Sequence, residues 1–323
     1  MNVKGLHHLS AMTGDVKSNY NFYTDTLGMR LVKKTVNQDD TTAYHLFYGD
    51  EKGNPGTELT FFDFPGIAPG KHGVSSISRT SLRVPSDVSL DYWEKRFDDR
   101  GVKHDPVAEH AGRRSLFFED PEGQRLALVS DERNFGVAAG TPWAQGAVPS
   151  EHAITGLGPV TLTVRKPEST LAVLGLLGFK EKSRVPAFVA DQPDIIVMQA
   201  GEGGSGAEVQ VETRTDLSVA SPGKGGVHHV AFRVADQEEM QAWINIVIQF
   251  RIPNSGYVER YYFGSLYFRE PNGILFELAT DGPGFATDEP FETLGESLAL
   301  PPFLEPKRKQ IESKLKPLDT RRS

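Results

Sequence analysis

Apolar and polar positions along the chain alternate with two periods, one suited to strands and one to helices. In Gly226-Val-His-His-Val-Ala-Phe-Arg-Val234, residues Val227, His229, Ala231 and Arg233 alternate with His228, Val230, Phe232 and Val234, the period-2 pattern of a strand with two different faces. Strict alternation sends the two histidines to opposite faces. A helical run over 236–249 follows. Leu266-Tyr-Phe-Arg269 and Ile274-Leu-Phe-Glu-Leu278 then flank the turn signal Pro271-Asn272-Gly273. The last of these strands is apolar except for Glu277, and a carboxylate there must be neutralised, paired or bound to a cation. Taken singly, these residues also read as a core histidine and a glutamate that reaches water at a strand end.

The same order of strand, helix and three-strand meander is expected four times. The first unit has a strand at 6–12, a helix at 15–27 with Asp15 as N-cap and Gly28 just beyond its end, and strands at 29–36, 42–48 and 57–63. The second has a strand at 78–84, a helix at 87–100 closed by Gly101, and a pair at 114–119 and 124–130 around Asp120-Pro-Glu-Gly123. A Gly-, Ala- and Pro-rich stretch at 134–150 reads as a linker. The third unit opens at 156–164, with a helix at 168–177 ending at Gly178, and the fourth is the stretch described above. Two domains are expected, 1–133 and 151–282, each of two units. A Pro-rich tail, 283–323, is expected to wrap the surface before a short charged helix.

Laid over one another, the units differ in what they keep. Gly5-Leu-His-His-Leu-Ser10 repeats Gly226-Val-His-His-Val-Ala231. The position of His229 is His8 in the first unit, Arg79 in the second and Pro159 in the third. That of Glu277 is Thr60, Ala127 and Gln210, with Glu208 and Glu212 on the same strand face as Gln210. Only the outer units keep a histidine and only the fourth keeps the carboxylate. His8, His229 and Glu277 therefore supply the parts of a 2-His-1-carboxylate metal site. The second histidine of each pair is chosen because it keeps the shared register His-apolar-small. Gly201-Glu-Gly-Gly-Ser-Gly206 matches a dinucleotide-binding pattern, but the alternating Ala207-Glu-Val-Gln-Val-Glu212 follows where that pattern needs a helix, so a hairpin loop is expected.

Composition narrows the classes. The 323 residues are 38% hydrophobic and 24% charged, enough for two domains with a substantial core. A net charge of -8 and scattered basic residues argue against a nucleic-acid surface, and the Lys307-Arg308-Lys309 and Arg321-Arg322 cluster reads as a solvated tail. No apolar window of membrane-spanning or signal-peptide length occurs, and a cytoplasmic protein is expected. The absence of cysteine removes disulfides, thiolate metal sites and cysteine nucleophiles.

Four such units, with His on a first strand and Pro-x-Gly-x-x-x-Glu on a last, resemble the vicinal oxygen chelate superfamily of glyoxalase I and the extradiol ring-cleaving dioxygenases. Tyr267 through Glu277 matches the extradiol Tyr-x-x-x-Pro-x-Gly-x-x-x-Glu spacing. His7-His-Leu-Ser10, Tyr44-His-Leu-Phe-Tyr-Gly-Asp50, Pro55-Gly-Thr57 and Tyr267-Phe-Arg-Glu-Pro271 resemble bacterial ring-cleaving dioxygenases of hydroquinone type. The resemblance implies an α+β fold of four βαβββ units in two cup-shaped mixed-sheet barrels. It also implies Fe(II), with Mn(II) or Zn(II) as alternatives, held by His8, His229 and Glu277, with a small aromatic diol and O2 as substrates. Tyr267 is then a candidate hydrogen-bond donor to the substrate. His45, on an inner strand, is a candidate proton carrier or a satisfied core histidine. His72, His104, His110 and His152 are expected in surface loops. Two departures from the extradiol pattern stand out: the third unit offers Gly158-Pro159 where a ligand histidine belongs, and Val258 stands where a histidine precedes the tyrosine by nine residues. A glyoxalase-type lyase or isomerase would need a fourth ligand at Thr60, a poor one, and a non-catalytic aromatic-binding or resistance protein would not need the triad.

Ligand count also bears on architecture. Pairing units in chain order leaves neither barrel with a complete site, whereas pairing the first with the fourth brings His8, His229 and Glu277 together. The pairing within one chain is expected, because the long loop 131–155 lets the middle units fold back. A homodimer pairing these units between chains would also complete the triad.

Overall fold

The computed structural model describes residues 1–133 and 135–322. Asn134, in the expected linker, and Ser323, in the expected tail, lie outside the described residues. The first unit is β1 (Leu6–Thr13), α1 (Val16–Asn21), β2 (Arg30–Val36), β3 (Tyr44–Gly49) and β4 (Glu58–Asp63). The second is β5 (Ser76–Val84), α2 (Asp87–Arg100), β6 (Ala108–His110), β7 (Arg113–Glu119) and β8 (Arg125–Ser130). The third is β9 (Gly156–Val164), α3 (Pro167–Leu176), β10 (Lys180–Val185), β11 (Ile195–Gln199) and β12 (Glu208–Thr213). The fourth is β13 (Val227–Val234), α4 (Gln237–Gln249), β14 (Asn254–Glu259), β15 (Phe263–Arg269) and β16 (Leu275–Pro283).

Caps and apolar spacing account for the helices. Asp236 accepts the backbone N–H of Glu239 at 2.9 Å, and Met240, Trp243, Ile244 and Val247 then form one buried stripe along α4. Asp15 caps α1 by accepting from Ser18 N, as expected, but the α-helix stops at Asn21 and continues as a π-helical turn over Phe22–Thr26. The short strand β6 was not foreseen. His110 is on it rather than in a surface loop, and its ring stacks 4.4 Å from Phe188. After the glycines at 201–206 the chain enters β12, antiparallel to β11, so that segment is the hairpin loop expected.

The strands form two eight-stranded mixed sheets. One runs β14-β15-β16-β13-β1-β4-β3-β2 and the other β10-β11-β12-β9-β5-β8-β7-β6. Within each unit the first strand lies parallel to the last, and each sheet is joined at its middle by two antiparallel first strands, β1 with β13 and β5 with β9. The outer units thus share one sheet and the middle units the other, and both sheets cross the chain-order division at 134–150. A single large apolar core, including the fully buried Trp93 and Trp243, packs the helices on the sheets.

The tail lies on the first sheet. Fully buried Lys33 pairs with Asp288 at 2.7 Å and with Glu289, while Phe285 and Leu294 join Phe47, Tyr262 and Phe263 in a smaller apolar cluster. An ammonium is tolerated there because two carboxylates meet it. A short helix, α5 (Arg308–Glu312), follows as expected.

Candidate metal centre

The joint of the first sheet brings the three expected ligand residues together. Antiparallel pairing sets His8 opposite Ala231 and Ser10 opposite His229, and parallel pairing sets Ala231 beside Glu277. His8 Nε2 lies 3.2 Å and His229 Nε2 2.9 Å from the same oxygen, Glu277 Oε2, and the two nitrogens are 3.3 Å apart. All three side chains are buried. The turn feeding β16 is held firmly: Gly273 N–H donates to Glu270 O at 2.8 Å, and buried Glu270 accepts from Ile274 N–H and from Thr170 Oγ1 in α3.

Two such His/Glu groupings occur among the described residues, this one and His7, His8 and Glu58. The residues at His8, His229 and Glu277 fit a cation. Neither Glu277 oxygen accepts a well-formed hydrogen bond, although both oxygens are buried. Bare buried carboxylate oxygens are costly, and a divalent ion at the meeting point of two imidazole nitrogens and a carboxylate would satisfy all of them. Burial by itself pushes the Glu277 carboxyl up, but His8 and His229 against it outweigh that and hold it well below the usual carboxylate range. Burial pulls His229 below the ordinary imidazole value, leaving it the neutral form that ligates metal.

The other candidates surround this point. Tyr267, paired across the sheet with Glu277, has its ring 5.9 Å from that of His229, and burial followed by the Glu277 charge raises its phenol pKa, keeping the proton on. His45 lies between the rings of Phe47 and Phe62, at 3.9 and 4.2 Å, and its Nε2 is 2.9 Å from Thr60 Oγ1. Burial holds His45 well below the ordinary range, so it is neutral. Thr60, the counterpart of Glu277 in the first unit, is also engaged by Ser10 Oγ at 2.7 Å.

Sequence reasoning missed Asp39 and did not assign Arg260 a role. Arg260 Nε donates to the Tyr267 oxygen at 3.3 Å, and its guanidinium pairs with Asp39 at 2.9 Å. Arg260 sits seven residues before Tyr267 and was visible; Asp39 is 221 residues away and carried no signal. His8, His45, Phe62, His229, Arg260 and Tyr267 face one pocket. Two larger cavities, of about 390 and 360 Å³, are bordered by His228 and by His7 respectively, and neither is lined by His8, His229 or Glu277.

The model of the Glyoxalase/Bleomycin resistance protein/Dioxygenase superfamily matches residues 5–128 and 156–278. A Bacillus subtilis (strain 168) protein named "Putative ring-cleaving dioxygenase MhqA" is 53% identical over 98% of this chain and all of its own length. The Sphingobium indicum chlorohydroquinone/hydroquinone 1,2-dioxygenase is 31% identical, covering 94% of this chain and 93% of its own. A crystal structure of a Bacillus subtilis "putative dioxygenase" superposes with a TM-score of 0.89 at 36% identity, covering 100% of this chain and 99% of that one. With a family model matching both halves and full-length relatives at this identity, the chain belongs to the glyoxalase/bleomycin resistance/dioxygenase superfamily.

Proposed function

We propose that the protein is a non-haem Fe(II)-dependent ring-cleaving dioxygenase of extradiol type, acting in the cytoplasm on a small dihydroxylated aromatic of hydroquinone or catechol class. The observation that carries this reading is the convergence of three ligand-type side chains, His8, His229 and Glu277, on one point among the described residues, with Thr60 as the first unit's counterpart of Glu277. His8, His229 and Glu277 would hold the ion and leave coordination positions open for small molecules. When bound, Fe(II) supplies a Lewis acid for the diol oxygens and a redox partner for O2. Relatives named for ring cleavage, one of them for hydroquinones, support the substrate class.

The chain's own residues then have distinct tasks. Tyr267, protonated and receiving a hydrogen bond from Arg260, donates its phenol proton toward a substrate oxygen. Neutral His45 faces the pocket as the candidate carrier of a proton released by the diol; burial opposes its protonation, so it holds that proton only in passing to the solvent side of the pocket, while Thr60 Oγ1 fixes its ring through Nε2. Phe47 and Phe62 flank the pocket with apolar rings that exclude water and match an aromatic ring. A glyoxalase-type reaction is less well served, because Thr60 lacks the second carboxylate. Anaerobic purification followed by iron analysis and O2 uptake with a panel of hydroquinones and catechols tests the reading. One iron per chain and stoichiometric O2 consumption with at least one diol are expected; a protein that binds iron and consumes no O2 with any of them contradicts it.

A further inference from the structure

The pairing of β1 with β13 slips twice, and each slip falls on a histidine. The register moves from Leu6↔Phe232 to His8↔Ala231, leaving His7 as the extra residue, and from Ser10↔His229 to Ala11↔Val227, leaving His228 as the extra one. A bulge bends its strand and re-aims the side chain it carries. In place of the opposite faces that strict alternation requires, the rings of each tandem pair meet edge to face. His7 Nδ1 is 3.0 Å from His8 Nδ1, and His228 Nδ1 is 2.8 Å from His229 Nδ1.

We propose that His7 and His228 are positioning residues that fix the tautomer and ring orientation of His8 and His229 as metal ligands. The inference rests on the metal reading above. If Nε2 of His8 and of His229 gives its lone pair to the ion, the neutral ring carries its proton on Nδ1 and needs an acceptor there. The Nδ1 atom of the preceding histidine is that acceptor, so the preceding ring carries its own proton on Nε2. For His7 this assignment closes without a gap, since its Nε2 donates to Thr280 O at 3.0 Å. Every nitrogen along the line Glu277, His8, His7, Thr280 then has one role.

The two copies are not equal. His7 is buried and held at both ends, whereas His228 is exposed and borders the 390 Å³ cavity. His7 therefore restrains its neighbour more tightly. The grouping of His7, His8 and Glu58 shares His8, which in this arrangement has no nitrogen left for a second ion, since Nε2 ligates and Nδ1 carries the proton. One ion per chain follows from the hydrogen-bonded arrangement.

The test is the Fe(II) dissociation constant, measured anaerobically on chelator-stripped protein by competition with a chromophoric chelator. It is applied to the parent and to His7→Phe, His7→Asn, His228→Phe and His228→Asn, with circular dichroism to confirm folding. Phe keeps the ring and removes the acceptor; the Asn side-chain oxygen can replace Nδ1. Loss of such a partner weakens metal binding by about 10–100-fold. His7→Phe is expected in that range and His228→Phe at its lower end, with each Asn variant restoring most of the loss. The tautomers are read independently in the unsubstituted Zn(II)-loaded protein by two-bond 1H–15N histidine spectra, with His8 and His229 protonated at Nδ1. Unchanged affinity in both Phe variants, Nε2-protonated His8 and His229, or two Fe(II) per chain with one lost in His7→Phe would each overturn the inference. A parent protein that binds no Fe(II) overturns the metal reading itself and this inference with it.

Discussion

At the position of His8 the second sheet carries Arg79, whose guanidinium carbon lies 4.5 Å over the ring of Phe117 and 4.3 Å over that of Phe188. At the other end of the comparison stand two buried glutamates. Glu208 of the second sheet is saturated: Arg113 donates to both its oxygens at 3.1 and 2.8 Å, and Gln199 and Gln210 add bonds at 2.8 and 3.0 Å. Both Glu277 oxygens in the first sheet lack a well-formed hydrogen bond. The register slip is common to the two, because Ile77↔Leu162 steps to Arg79↔Thr161 and leaves Ser78 as the extra residue where His7 stands in the first sheet. Fold and bulge are therefore shared, and the chemistry differs in the residues hung on them. A buried carboxylate whose oxygens are fully bonded holds structure, whereas one whose oxygens are bare, facing imidazole nitrogens, is arranged for a cation.

The comparison breaks most visibly at the triad. His8→Ala, His229→Ala and Glu277→Ala should each reduce bound iron and turnover to background in a folded protein. Full iron content in any one of them, measured by metal analysis after gel filtration, removes that residue from the site. Glu277→Gln and Glu208→Gln sharpen the contrast. In metal-free protein, urea unfolding should show Glu208→Gln destabilised by about 3–5 kcal/mol, the cost of breaking a buried ion pair. Glu277→Gln should cost less metal-free stability than Glu208→Gln, because Glu277 meets two imidazole nitrogens and no guanidinium. Equal losses in the two would mean that the carboxylates do the same work. Next in size is Arg79→Ala, expected to lower stability by about 2 kcal/mol through lost cation–π contact and stem packing while leaving iron content unchanged. Iron loss in this variant would tie the second sheet to the site. The smallest effect concerns quinones, the oxidised forms of hydroquinones, which alkylate thiolates: with no cysteine in the chain, activity should persist after exposure, and rapid inactivation with iron retained would count against the idea.

Much of this contrast was legible in the sequence because it is written in residue identity at repeated positions. The tandem histidines at 7–8 and 228–229 and the lone Glu277 marked the outer units, while Arg79 and Pro159 marked the middle ones as unable to bind. The need to complete a triad also indicated that the first unit pairs with the fourth. What could not be read depends on geometry that local pattern does not carry. Period-2 alternation put His7 and His8 on opposite faces, and a one-residue bulge, invisible in the alternation itself, brought their nitrogens within 3.0 Å. His110 sat in a stretch too short and polar to signal a strand, yet its ring packs on Phe188 and its Nε2 lies 3.2 Å from Gln210 Oε1. The link from Asp39 through Arg260 to Tyr267 joins segments far apart in the chain, and only the folded structure reveals it.

The central claim is that this chain holds one metal ion and holds it in the first sheet. Crystals grown anaerobically with Fe(II) and measured at the iron absorption edge test it most directly. The account predicts one anomalous peak per chain, about 2.1 Å from Nε2 of His8 and of His229 and bonded to a Glu277 oxygen. A peak beside Arg79 or Glu208, a peak between His7 and Glu58, or bonds to His229 and Glu277 with His8 standing off would contradict it.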